Sequence, residues 1–338
     1  MNGLLGNVCL ICKLEGTLIY DNLFDFLVPN NRAWKMYYCQ NDELAWLWPQ
    51  PSKTDISQLY SDYHTHRVTK ERSLIPQIIK EYILAKTYGY PITTRVKKYL
   101  KILKFLPIPS FLKEMVGSQI LWTKYRPGGN LLDIGCGNGY FLYQMKKLGW
   151  SVQGIEPDIQ AAKVGIEYFG LPIKIGELAE LNLIPCSFDV ITLKHVIEHI
   201  SDPFTLLQEC YKLTREDGLL IIATPNFNSL GHKIFKSNWS ILEPPRHFYL
   251  FTNKSLSYLI RKAGFKIVTS FTFPRGARVM FDLSKILLFK KNLFTYKNKY
   301  DHPLKISGLL FFLLEFFLTK LNKDLGEELV IIAQKDIG

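Results

Sequence analysis

Nowhere in the 338 residues does an uninterrupted apolar run reach the roughly 20 residues that a helix needs to cross a bilayer. The longest approach, Ile306 to Leu318 (ISGLLFFLLEFFL), is too short and is interrupted by Glu315. It reads as an apolar helix near 304–323, buried in the fold or, as a second reading, lying at a membrane surface. Met1 to Leu10 lacks a basic segment followed by an apolar one, so no signal peptide is expected. There is no block of five or six like charges, no internal repeat and no low-complexity tract. Cysteine is sparse. Of the six, Cys9, Cys12 and Cys39 fall near the start of the chain, which suggests a metal site and not a disulfide framework. A reducing cytoplasm fits that usage, with peripheral membrane contact through 306–318 as the variant.

What is present describes a folded protein. The chain is 47% hydrophobic, 21% charged and 14% aromatic, enough for one substantial domain with additions. The net charge of +12 attracts anions, whether nucleic acid, acidic lipid or phosphorylated small molecules. Basic residues are denser at 80–126 and 261–305, where a solvated basic face is the default reading.

Three regions follow. Residues 1–52 hold the cysteines and a tryptophan-rich end, Trp46 and Trp48, closed by Pro49 and Pro51. Residues 53–126 read as helices, with apolar spacing around Leu74–Leu84 and Val96–Leu106. Residues 127–338 start with alternating elements. Strands are expected at Leu131–Ile134, Ser151–Ile155, Leu171–Ile175, Phe188–Leu193 and Gly218–Ala223. Helices are expected at Tyr140–Leu148, Ile159–Phe169 and Pro203–Leu213. Beyond them, Leu256–Ala263 reads as a helix, and Phe265–Phe273 and Leu329–Ala333 read as strands. The alternation predicts an α/β fold with a doubly wound, mostly parallel sheet.

The first strand runs into Gly135-Cys136-Gly137-Asn138-Gly139. A dinucleotide loop would need its third glycine at position 140, which is Tyr140. The lysine and Ser/Thr of a phosphate loop are missing too. Alternate glycines suit a nucleoside ligand without pyrophosphate, such as S-adenosylmethionine. Glu156 ends the next strand, where a carboxylate can accept from both ribose hydroxyls.

The strand and loop LLDIGCGNGYF, the acidic end GIEPD, the block Ser187-Phe188-Asp189-Val190-Ile191 and HVIEHISDP together resemble class I S-adenosylmethionine-dependent methyltransferases. The resemblance is close over 127–225. It implies a seven-stranded Rossmann-like sheet and a methyltransferase domain over 127–338. It places Asp133, Gly135, Gly137 and Gly139 beside the methionine part of the cofactor, Glu156 on the ribose, Glu177 near adenine and His195 facing the cofactor.

Cys9-x-x-Cys12, Cys39 and EPPRHFYLFT (243–252) resemble a narrower bacterial subgroup with a small zinc-binding module, several of whose members act on sugars. The subgroup's fourth cysteine is Asp42 in this chain. One structural zinc in a zinc-ribbon-like module is expected, held by Cys9, Cys12, Cys39 and Asp42, or else a module that has lost its metal. His247 is the first candidate for the base, and Arg246 for binding a phosphate or carboxylate of the substrate. Tyr63, within LYSDYHTH, is a second catalytic candidate, although that stretch equally fits a polar helix face.

The leading expectation is methyl transfer to a small-molecule acceptor, a sugar or glycan intermediate. A quinone or lipid-like acceptor is the alternative. A zinc-containing nucleic-acid-binding protein with a vestigial core is a third reading, weakened by the lack of an aromatic reading motif among the basic residues.

Overall fold

The computed structural model describes residues 7–28, 32–51, 75–103, 105, 107–290 and 306–336. Tyr63 lies outside them. In chain order the elements begin with strands β1 (Thr17–Phe24), β2 (Ala33–Cys39) and β3 (Leu44–Trp48), then helices α1 (Gln77–Tyr88), α2 (Thr94–Leu103) and α3 (Ser110–Gln119). Next come β4 (Asn130–Ile134), α4 (Tyr140–Lys147), β5 (Ser151–Glu156), α5 (Ile159–Lys163), β6 (Ile173–Ile175), β7 (Phe188–Lys194), α6 (Pro203–Leu213) and β8 (Thr214–Pro225). The chain closes with α7 (Leu230–Phe235), β9 (Tyr249–Leu250), α8 (Asn253–Lys262), β10 (Phe265–Phe273), α9 (Ala277–Lys290), α10 (Ile306–Leu321) and β11 (Glu328–Lys335).

The expected seven-stranded sheet is present, in the order β10-β11-β8-β7-β4-β5-β6. β4 and β6 flank β5 in parallel, while β11 runs antiparallel to both β8 and β10. β7 (FDVITLK) is buried over six of its seven residues, as an apolar run inside a covered sheet must be. The cysteine region builds a second sheet, β1-β2-β3-β9. Ala45 pairs with Leu250 and Trp46 with Tyr249, so that region is hydrogen-bonded to a segment from the other half of the chain.

Contacts divide the described residues into two compact units. One holds 7–28, 32–51, 182–186, 193–290 and 306–336; the other holds 75–103, 105, 107–181 and 187–192. In the second, Tyr88 donates from its hydroxyl to the Lys113 carbonyl and Trp150 donates from Nε1 to the Tyr90 hydroxyl, tying the helices to the start of β5. In the first, Thr252 caps α8 through the Ser255 backbone N–H, and Phe281 of α9 stacks on Phe311 of α10 with centroids 4.6 Å apart.

Two elements depart from expectation. The helix expected over Ile159–Phe169 is α-helical only to Lys163 and then forms a π-helical turn, Val164–Tyr168. Gly165 is pressed on Ile173: a Cβ there would lie 2.2 Å from Ile173 Cδ1. The close approach coincides with the widened turn.

α10 forms where expected, but it is not the buried helix. Gly308, Phe311, Glu315 and Thr319 face inward, and most of its leucines and phenylalanines are exposed. Glu315, which interrupts the apolar run, is fully buried and accepts the Glu327 backbone N–H. Burial pushes its carboxyl up to about 10, so it packs as a neutral acid. Among the described residues no helix is long and apolar enough to cross a membrane.

Candidate donor and base sites

The glycine loop sits between β4 and α4. Gly135, Gly137 and Gly139 take φ of +68°, +55° and +74°, a region where a Cβ is strained. At Gly139 a Cβ would also meet Leu171 Cδ1 at 2.6 Å. The turn is held by Gly135 and Cys136 N–H groups donating to the Ile155 carbonyl at 2.8 and 3.1 Å. Asn138 accepts the Tyr140 N–H at 3.2 Å, satisfying one donor at the start of α4.

Acidic side chains gather at the carboxyl ends of these parallel strands. Glu156 is buried; its Oε2 accepts the Gly137 N–H at 2.7 Å and its Oε1 the Asp158 N–H at 3.0 Å. The carboxylate thus shapes the loop while retaining acceptor capacity for further donors. Asp133 is buried at the end of β4 and accepts the Thr192 hydroxyl at 2.6 Å. Glu177 is exposed, follows the Gly176 turn after β6 and caps a short 3-10 helix, Leu178–Glu180. Ile175 pairs with Glu156, so Glu177 and Glu156 lie at neighbouring strand ends. Asp189, from the SFDVI block, accepts the Asn130 N–H at 2.7 Å and pairs with Arg126 at 3.2 Å, which registers the start of β4.

In the other unit His195 follows β7 with φ +53°, strained for a non-glycine residue. Its Nε2 lies 2.9 Å from Glu328 and its Nδ1 3.5 Å from Glu198, both carboxylates buried. Desolvation opposes charge on the ring, but the two carboxylates outweigh it and push it up to about 9. Glu198 answers in the opposite sense: burial would raise its carboxyl, yet the neighbouring histidines, His195 first, bring it down to about 2.

His247 is 5% exposed. Its Nδ1 lies 2.6 Å from the Ile241 carbonyl, which can only accept, so Nδ1 carries the proton and Nε2 the lone pair. Burial first, and His199 second, bring the ring down to about 4, so it is neutral at physiological pH. It lies against His199, centroids 4.7 Å apart, and together with Glu198 these rings offer ligand atoms within 4.8 Å of one another. Arg246, expected from the sequence as a substrate contact, is 2% exposed and forms a two-pronged pair with Asp25 at 3.1 Å each. A guanidinium so occupied anchors the loop.

Cys9, Cys12, Cys39 and Asp42 come together, with ligand atoms within 4.8 Å of one another. Cys9 Sγ lies 3.2 Å and Cys39 Sγ 3.5 Å from Asp42 Oδ2, and Cys12 Sγ lies 3.6 Å from Cys39 Sγ. A tetrahedral ion with about 2.3 Å bonds to sulfur and 2.0–2.2 Å to oxygen sets such atoms about 3.5–3.8 Å apart, so the donor set fits zinc. Cys9 and Cys12 flank a tight turn in which the Ile11 N–H donates to Cys9 Sγ; Cys39 ends β2 and Asp42 lies in the turn to β3.

Three partners escaped the sequence reading. Thr192 and Glu328 sit in apolar strands and give no local signal of pairing with Asp133 and His195. Asp25 lies 221 residues from Arg246. The Asp158 contact could have been found, since it belongs to the GIEPD strand end.

Among similar curated proteins, a ubiquinone biosynthesis O-methyltransferase of Cereibacter sphaeroides is 35% identical over 148 residues, covering 40% of this chain and 60% of that protein. A probable S-adenosylmethionine-dependent methyltransferase of Mycolicibacterium smegmatis is 30% identical over 151 residues, covering 44% of this chain and 57% of that protein. The chain thus spans less than two thirds of the length of these relatives. Among solved structures, phosphoethanolamine N-methyltransferase 2 of Haemonchus contortus with S-adenosyl-L-methionine aligns at TM-score 0.43 and 19% identity, over 76% of this chain and 56% of that one. β4 to β9, with the glycine loop between β4 and α4, lie within residues 111–270, which match the family model described as a methyltransferase domain.

Proposed function

We propose that the protein is an S-adenosylmethionine-dependent methyltransferase whose acceptor is a small hydroxylated aromatic of the quinone type. The observation that carries the donor is the loop: three glycines at positive φ, with Glu156 at the neighbouring strand end. Asp133 borders the methionine portion, Glu156 accepts from the ribose and Glu177 lies toward the adenine. His195 is assigned to the same cofactor from its place after β7. Bound there, S-adenosylmethionine supplies a methyl group on a sulfonium for in-line displacement by a nucleophilic oxygen.

The acceptor hydroxyl must lose its proton, and His247 is the proposed base. Its neutral ring keeps a lone pair on Nε2 to take that proton. The similarity to the Cereibacter ubiquinone biosynthesis O-methyltransferase supports a quinone-type acceptor. Arg246 is assigned to positioning this loop through Asp25. Tyr63 remains a second catalytic candidate on the sequence alone. Cys9, Cys12, Cys39 and Asp42 are proposed to hold one structural zinc. That cluster also favours a second reading, a sugar acceptor, through the subgroup resemblance; turnover of a catechol-type quinol against a nucleotide sugar separates the two.

Calorimetry tests the donor site. S-adenosylmethionine is expected to bind the wild-type protein, and Glu156→Ala to weaken binding at least about tenfold, since a charged acceptor contributes about 1.5–3 kcal/mol. A wild-type protein that does not bind the donor sinks the proposal.

A further inference from the structure

α10 is amphipathic in reverse. Its one charged residue before the last turn, Glu315, is inside, and its apolar stripe is outside. Leu309, Leu310, Leu313, Leu314, Phe317 and Leu321 are between 39% and 86% exposed. Their spacing follows the 3.6-residue period, so they form one continuous face. Leu288 and Phe289, at the end of the adjacent α9, are exposed as well, Phe289 at 75%. Isolated exposed apolar residues are ordinary, but a helix-long stripe marks an interaction surface.

Among the described residues, exposed lysines on and beside these helices point to the partner. In sequence, residues 275–323 contain ten Lys and Arg against three acids. Two of those acids, Asp282 and Glu315, are buried, and Asp282 accepts the Ser307 hydroxyl. Lys285, Lys320 and Lys323 are exposed. An apolar stripe with three exposed lysines, and the exposed acid Asp324 only past its end, matches the boundary of an anionic lipid leaflet. A second copy of the chain would bring two such cationic faces together, and like charges oppose that contact.

We propose that the exposed face of α10, with the end of α9, docks on an anionic lipid surface. The inference deepens the acceptor assignment, on whose reading its catalytic use rests: a quinone-type acceptor with an apolar tail partitions into the same lipid. The docking itself stands on the surface alone, and it fails or holds independently of donor binding.

The test is co-sedimentation of the full chain with vesicles of equal parts phosphatidylglycerol and phosphatidylcholine, against phosphatidylcholine alone. The wild-type protein is expected to pellet with the anionic vesicles and less so at high salt. The double variant Leu310→Glu, Phe317→Glu is expected to lose at least about tenfold in partitioning while unfolding at the same temperature and binding the donor unchanged. Wild-type protein that stays in the supernatant with both vesicles overturns the proposal. So does a concentration-dependent dimer that the same variant abolishes, because the face is then a contact between copies. Loss of donor binding with vesicle binding intact would overturn the methyltransferase reading and leave docking standing.

Discussion

His195 and His247 respond to pH with opposite sign, and each reports its surroundings. His195 is raised from 6.5 to about 9 by Glu198 and Glu328 against desolvation. Its contribution to stability is therefore full below about pH 6.5 and is lost as pH rises through about 9. Because the ring is 43% exposed, solvent screens the pairs and the contribution is about 1–2 kcal/mol. His247 is lowered from 6.5 to about 4 by burial, so stability falls as pH drops from about 6.5 toward 4. His195→Ala is expected to lower the melting temperature at pH 6, with the gap to wild type narrowing by pH 9.5. A gap that does not change with pH would show that His195 is not held as a cation by its two carboxylates.

At the scale of elements, the cysteine turns and β9 belong together. β3 pairs with β9, the Leu47 N–H donates to the Phe248 carbonyl, and Arg246 pairs with Asp25 beyond β1. Cys39 at the end of β2 and His247 just before β9 thus lie on segments that share a sheet. Elemental analysis of the purified chain is expected to find about one zinc per protein, lost in Cys12→Ser, with a melting temperature lowered by several degrees. Metal-free protein with intact thiols and an unchanged melting temperature would remove zinc from the reading. The α10 helix shows the same dependence on context: its apolar sequence forms a helix in either environment, but the buried contacts of Phe311 and Glu315 choose which face turns outward.

Over the whole molecule, charge is distributed unevenly. Two stretches of the sequence carry most of it: 80–126 has a net charge of +8 and 275–323 of +7, against +12 for the whole chain. A tracked nucleic-acid backbone calls for a basic groove with stacking aromatics, whereas the described lysines Lys285, Lys320 and Lys323 accompany an apolar stripe. Filter binding with generic single-stranded RNA at physiological salt is expected to detect only weak, salt-labile association. Tight binding with a steep salt slope would revive the nucleic-acid reading.

The sequence by itself determined the parts whose causes are local. Alternating apolar runs named the strands and helices of the α/β sheet. Gly135 to Gly139 and Glu156 were legible because strand, loop, helix and next strand follow one another within 27 residues, and the backbone demands of the turn show in the residue types. The spacing of Cys9 and Cys12 was legible for the same reason, and Cys39 and Asp42 repeated it. Tertiary structure alone decided the pairings between distant segments and the side each element presents. Asp25 with Arg246, Glu328 with His195 and Thr192 with Asp133 depend on which strands become neighbours, and no local pattern encodes that. The outward stripe of α10 follows the same logic: composition measured how apolar the helix is, but only packing on α9 and the neutral Glu315 settled which residues meet the solvent.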